Sequence, residues 1–73
     1  MNTYIIPYFD GYKCSIYSTA ATSYRNAESK VIKYFVNRFG LDYGLLDENL
    51  KQLSDELVKQ DVYLGLIYDV EEF

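Results

Sequence analysis

The sequence contains no histidine, a single cysteine and no long apolar run, and each shortage excludes a class of protein. Without histidine there is no ordinary imidazole base and no His-containing metal site. Cys14 has no second cysteine for an internal disulfide and no histidine to activate it, and a lone thiol fits a reducing cytoplasm. The apolar stretches are too short to span a bilayer and no signal peptide is recognisable, so we expect a cytoplasmic protein without a membrane partner.

The glycines and carboxylates give no catalytic pattern. The four glycines are scattered, so the sequence contains no glycine-rich phosphate loop. The acidic pairs at 47–48 and 55–56 are adjacent in a predicted helix, where their side chains diverge by about 100° and do not share one site. Asp42 with Asp47 and Glu48 could hold calcium weakly, but the EF-hand spacing is absent. We therefore expect no enzyme, no cofactor and no metal site.

Apolar and aromatic side chains are abundant. Of the 73 residues, 49% are hydrophobic and 18% are aromatic, which is typical of a globular chain and not of a disordered one. The length allows one core, so residues 1–73 are predicted to form a single domain. A core this small is marginal, and dimerisation would help to stabilise it.

Residues 23–40, SYRNAESKVIKYFVNRFG, carry the clearest helix signals. Ser23 is a suitable N-cap, and Gly40 can end the helix in the left-handed conformation. One broad arc is apolar; its members are Tyr24, Ala27, Val31, Ile32, Tyr34, Phe35 and Phe39. Arg25, Lys30 and Lys33 on the opposite arc could grip phosphates or form a solvated face. So few charges, in a chain of net charge −4, favour the solvated face, and we expect no direct nucleic-acid binding.

Residues 3–9 and 12–18 are rich in Tyr, Ile and Phe and flank an Asp-Gly pair at 10–11, which is a strong β-hairpin signal. The predicted register places Pro7 opposite Cys14 and Ile5 opposite Ile16. In a two-residue turn the missing N–H of Pro7 would fall at a ladder position, so we prefer a four-residue loop with the same facing pairs.

The two faces of this hairpin differ in character. One face is compact and apolar, and we assign it to the helix; it holds Ile5, Pro7, Phe9, Tyr12, Cys14 and Ile16. The other face carries Tyr4, Tyr8 and Tyr17 beside Ile6. Because a tyrosine offers an apolar ring and a hydroxyl that can stay wet, this face suits a partner surface. Self-association and a bare open sheet face are equally consistent with it.

The second half of the chain predicts another helix and a closing strand. After a linker at 41–46, Asp47 is predicted to cap a helix running to about residue 60, with a stripe at Leu46, Leu50, Leu53 and Leu57. Residues 62–70 alternate as a strand buried on much of both faces. The predicted fold class is α+β with the order β-β-α-α-β. The N-terminal hairpin and C-terminal strand share one antiparallel or mixed sheet, and two helices pack on one face.

Charge is distributed unevenly along the chain. Residues 1–39 have five basic and two acidic side chains, which is a net charge of +3. Residues 40–73 have two basic and nine acidic side chains, which is a net charge of −7. Pairs between Asp47 and Lys51 and between Asp55 and Lys59 would neutralise part of this. The acids left unpaired are Asp42, Glu48, Glu56, Asp61, Asp69, Glu71 and Glu72.

Two spacings among these acids are relevant to DNA mimicry. On an extended strand Asp69 and Glu71 would lie about 6.6 Å apart, close to the roughly 6.8 Å between successive phosphates of one DNA strand. Glu48 and Glu56 would lie roughly 12 Å apart along a helix axis. Such carboxylates either stand where phosphates would bind or only keep the protein soluble.

In size, tyrosine content and the acidic closing segment IYDVEEF, the chain resembles small acidic proteins that bacteriophages use to disable host proteins, including anti-CRISPR proteins and sliding-clamp inhibitors. The resemblance implies an inhibitor that occupies the basic DNA channel of a host DNA-processing protein as a DNA mimic, in the host cytoplasm. The predicted contacts are Glu48, Glu56, Asp69, Glu71 and Glu72, with Tyr4, Tyr8 and Tyr17 as apolar anchors. The alternative is a non-enzymatic regulatory binding module or homodimer that uses the tyrosine-rich sheet face.

Overall fold

The computed structural model describes residues 1–72, and of Glu72 only the backbone. In chain order the helices and strands are β1 (Asn2–Phe9), β2 (Cys14–Ala21), α1 (Tyr24–Phe39), α2 (Leu50–Val58), β3 (Tyr63–Leu64) and β4 (Tyr68–Asp69). Two short 3₁₀ turns, Tyr43–Asp47 and Val70–Glu72, precede α2 and follow β4.

Strand β1 is the centre of the sheet. β2 pairs with it on one side along the whole length of both strands, and β3 and β4 pair with it on the other side. All of these pairings are antiparallel, and the helices pack on one face. The predicted α+β class and the order β-β-α-α-β are confirmed, with the closing strand divided into two.

Helix α1 forms as its local signals predict. The Ser23 hydroxyl accepts a hydrogen bond from the Asn26 amide at 3.2 Å, and Gly40, at φ +63°, donates its amide to the Val36 carbonyl. The helix buries five side chains against the sheet and α2, and these are Ala27, Val31, Ile32, Phe35 and Val36. Val36 was missing from the predicted arc, and Tyr24, which was included, is half exposed.

The hairpin has a four-residue loop, but its register differs from the prediction by two residues. Phe9 pairs with Cys14, and Pro7 pairs with Ile16 instead of Cys14. The Asp10 carboxylate explains the shift, because it accepts the amides of Tyr12 and Lys13 at 2.8 Å each and so holds the loop closed.

The assignment of the hairpin faces was wrong, because α1 covers the tyrosine-rich face. Tyr4, Ile6 and Tyr8 are buried, whereas Ile16 is 64% exposed. The contact between this face and α1 is aromatic, because Phe35 of α1 lies toward the sheet and the Tyr8 ring meets it edge-on at 5.0 Å between ring centroids.

The closing strand is interrupted opposite Pro7. β3 pairs Leu64 with Tyr8 and β4 pairs Tyr68 with Ile5, so residues 65–67 bridge the two and add one residue relative to β1. Pro7 has no N–H to donate toward this side, and its carbonyl accepts the Gly65 amide at 2.8 Å. The single predicted strand is therefore two short ones.

Helix α2 begins two residues later than predicted. Asn49, not Asp47, is its N-cap, and the Asn49 side chain accepts the Gln52 amide at 3.1 Å. Asp47 ends the preceding 3₁₀ turn, so it does not form the expected i,i+4 helical pair. Of the predicted leucine stripe, Leu53 and Leu57 are fully buried, Leu50 is partly buried, and Leu46 stays 41% exposed in the 3₁₀ turn.

Candidate protein-binding surfaces

The sheet face opposite the helices carries exposed apolar side chains. Cross-strand partners share a face of a sheet, so the pairs Ile5–Tyr68, Phe9–Tyr63 and Pro7–Ile16 lie together on this side. We call these six side chains the outer face: Ile5, Pro7, Phe9, Ile16, Tyr63 and Tyr68. They form an apolar surface three strands wide.

Exposure is greatest at the margins of the outer face. Ile16 is 64% exposed on one margin and Tyr63 is 50% exposed on the other, while Phe9 between them is half-buried. The rings of Phe9 and Tyr63 lie 6.3 Å apart between centroids, so this end of the surface is aromatic. Leu66, in the interruption between β3 and β4, extends the surface and is 67% exposed.

The predicted tyrosine contacts lie elsewhere. Tyr4 and Tyr8 are core residues in this fold, and Tyr17 is half-buried, with its ring stacked on Tyr34 at 4.0 Å between centroids. Burial, together with a hydrogen bond to Tyr8, raises the pKa of the Tyr34 hydroxyl. The tyrosines therefore join the sheet to α1, and the prediction that they form a free partner surface is corrected.

Two predicted acidic contacts come together beside α2. Glu48 and Glu56 line the same open depression of about 290 Å³, together with Asp42. Glu48 precedes α2, so the predicted separation of two acids on one helix does not apply. The Lys59 ammonium donates a hydrogen bond to the Glu56 carboxylate at 3.1 Å, which corrects the predicted pairing of that lysine with Asp55. This is the only ion pair among the side chains that the structure describes.

Two further predicted acidic contacts, Asp69 and Glu71, connect residues 69–71 to β1. The Asp69 carboxylate accepts the side-chain amide of Asn2 at 2.9 Å, and this hydrogen bond is the main reason that the pKa of Asp69 lies below its usual value. Glu71 accepts the Thr3 amide at 3.1 Å. Because residues 70–72 form a 3₁₀ turn, the phosphate-like spacing of two acids on an extended strand is not present. The side chain of Glu72 lies outside the described residues.

No group of three or more His, Cys, Asp or Glu residues is arranged to hold a metal ion within the described part of the chain. Neither described helix has the length and apolar character needed to cross a membrane.

Comparison with known proteins identifies no relative. No family model matches the chain, and neither the curated proteins nor the solved structures give a significant match.

Proposed function

We propose that this protein is a non-enzymatic binding protein that docks on a partner protein through the outer face. The observation that carries the proposal is the contiguous apolar surface that the helices leave uncovered. The whole sheet face, three strands about 4.8 Å apart and some 25 Å long, covers roughly 360 Å². It carries Thr3 and Ser18 beside the apolar side chains. Patches of this size on small proteins are often functional.

The occupant we propose is a different protein and not a second copy of the chain. Each copy carries a net charge of −4, which opposes self-association. A larger partner could contact the outer face together with Leu66 at its margin.

Two substitutions with the same charge test the docking face. Ile16→Glu places a carboxylate on the outer face without touching the core, whereas Asn37→Glu places one on the exposed side of α1. Tagged variants are compared by quantitative mass spectrometry of proteins captured from a bacterial lysate. We expect proteins captured by the wild type to be lost with Ile16→Glu and retained with Asn37→Glu. Equal capture by both variants would contradict the proposal.

A second candidate function is DNA mimicry at a basic channel, as in the inhibitors that the sequence resembles. The observation that favours it is the grouping of Asp42, Glu48 and Glu56 around one depression, with a single ion pair among them. Carboxylates that keep their charge attract a basic channel and release its counterions, as DNA phosphates do. The partner would then be a host DNA-processing protein such as a sliding clamp or a CRISPR nuclease, in the host cytoplasm.

Neutralisation separates this candidate from the first. The Asp42→Asn/Glu48→Gln pair removes two charges at the depression, and Asp55→Asn/Asp61→Asn removes two at other exposed sites. If the protein is a DNA mimic, the first pair of substitutions reduces both the capture of the partner and the salt dependence of that capture. The second pair leaves both unchanged. Duplex DNA displaces the partner from the wild type. Capture that is unaffected by both pairs and by DNA would rule the mimic out.

A further inference from the structure

We infer that the free edge of β2 binds an extended acidic segment of another protein as an added strand. The register shows which backbone groups are available. Asp10 and Lys13 extend the β1–β2 register, and the Asp10 amide donates to the Lys13 carbonyl at 3.1 Å. Since hydrogen-bonded and non-bonded pairs alternate in antiparallel strands, the amides and carbonyls of the even-numbered residues 14–20 point away from β1.

The two edges of the sheet are protected very differently. On the far edge, β3 and β4 are two residues each, are interrupted, and end in the carboxylate of Asp69. β2 is eight residues long and contains no charged residue and no proline. Among the described residues one side chain engages this edge, since the Lys30 ammonium donates to the Ala20 carbonyl at 2.6 Å. Long uncharged edges accept further strands.

Charge selects the occupant of the edge. Lys13 precedes β2, and Lys30 is bound at its other end, so a cation stands at each end of the strand. Antiparallel pairing of β2 with a second copy, centred on the middle of the strand, would bring Lys13 of one copy beside Lys30 of the other. Like charges there oppose self-pairing, whereas a segment with carboxylates flanking an uncharged centre meets a cation at each end.

The test uses a synthetic nine-residue peptide with two glutamates at each end and an alternating Val-Thr centre, and a matched peptide with lysines at the ends. Binding is followed by NMR and by amide hydrogen exchange. We expect the acidic peptide to bind and to slow exchange of the Cys14, Ile16 and Ser18 amides. The lysine-ended peptide should not bind. Equal binding of the two peptides, or binding without protection of these amides, would overturn the inference.

Two variants locate the interaction at the edge. Ser18→Pro removes one outward N–H without affecting the β1 ladder, and Ser18→Ala keeps that N–H. We expect Ser18→Pro to weaken peptide binding about tenfold and Ser18→Ala to leave it unchanged. Lys13→Glu, which keeps every backbone donor, should weaken binding of the acidic peptide and strengthen that of the lysine-ended one. Sedimentation shows whether the wild type is a dimer. If it is, and if its edge amides are already protected from exchange without peptide, the inference that an acidic segment occupies the edge is overturned.

Discussion

The Gly65 amide donates to the Pro7 carbonyl at 2.8 Å, and a Cβ added to Gly65 would lie 2.8 Å from the Pro7 Cγ. The central strand contains the chain's one proline, and the closing strand contains a glycine opposite it. Because Pro7 has no N–H and its ring projects toward the neighbouring strand, only a residue without a side chain can approach this closely. The two residues therefore determine where the closing strand divides.

Gly65→Ala should destabilise the fold by about 1–3 kcal/mol, because the new methyl group overlaps the proline ring. Urea unfolding measures the loss. In a Pro7→Ala background the ring atoms are gone, so the same substitution should cost less. Additive effects of the two substitutions in a double-mutant cycle would show that the contact does not exist in solution.

Matched truncations test which hairpin face is covered. Ile6 is completely buried, whereas Ile16 is 64% exposed on the outer face. Ile6→Ala should therefore cost about 2–5 kcal/mol of unfolding free energy, and Ile16→Ala should stay within about 0.5 kcal/mol of the wild type. The reverse order in urea unfolding would restore the face assignment made from the sequence.

The contact between Asn2 and Asp69 makes stability depend on pH. The hydrogen bond holds the pKa of Asp69 below its usual value in the folded state. It therefore stabilises the fold fully at a pH above the pKa of Asp69 in the unfolded chain, and this stabilisation is lost as the pH falls through the pKa of Asp69 in the folded protein. Asn2→Ala should raise the pKa of Asp69, which NMR titration of the carboxyl carbon measures. Asp10 is the internal control: backbone amides of Lys13 and Tyr12 lower its pKa, and Asn2→Ala should leave that pKa unchanged.

Local signals predicted the parts of the fold that depend on neighbouring residues. The Ser23 cap and the Gly40 terminus act within one helical turn, and both are present in the structure. The hairpin register was two residues out because the side chain of Asp10 closes the loop through the amides of Tyr12 and Lys13. The Asp-Gly pair marks a turn but does not define its length.

The same sequence patterns did not predict which hairpin face α1 covers or where the closing strand divides. Both hairpin faces are rich in apolar side chains, so hydrophobicity could not rank them, and the covered face is the one on which Tyr8 contacts Phe35. The break in the closing strand depends on Pro7, nearly sixty residues away in sequence. For these reasons the sequence placed the three tyrosine contacts on the face that α1 covers, whereas the exposed apolar side chains Ile16, Tyr63 and Tyr68 lie on the opposite face.

Site-specific photo-cross-linking tests the central claim, docking through the outer face, most directly. A photoreactive amino acid replaces Tyr63 on the outer face, Glu48 at the acidic depression, or Asn37 on α1, and each variant is irradiated in bacterial lysate. We predict that one partner protein is cross-linked from position 63 and not from position 37. Cross-links to that partner from position 48 in the absence of any from position 63 would contradict docking through the outer face and support the acidic depression instead.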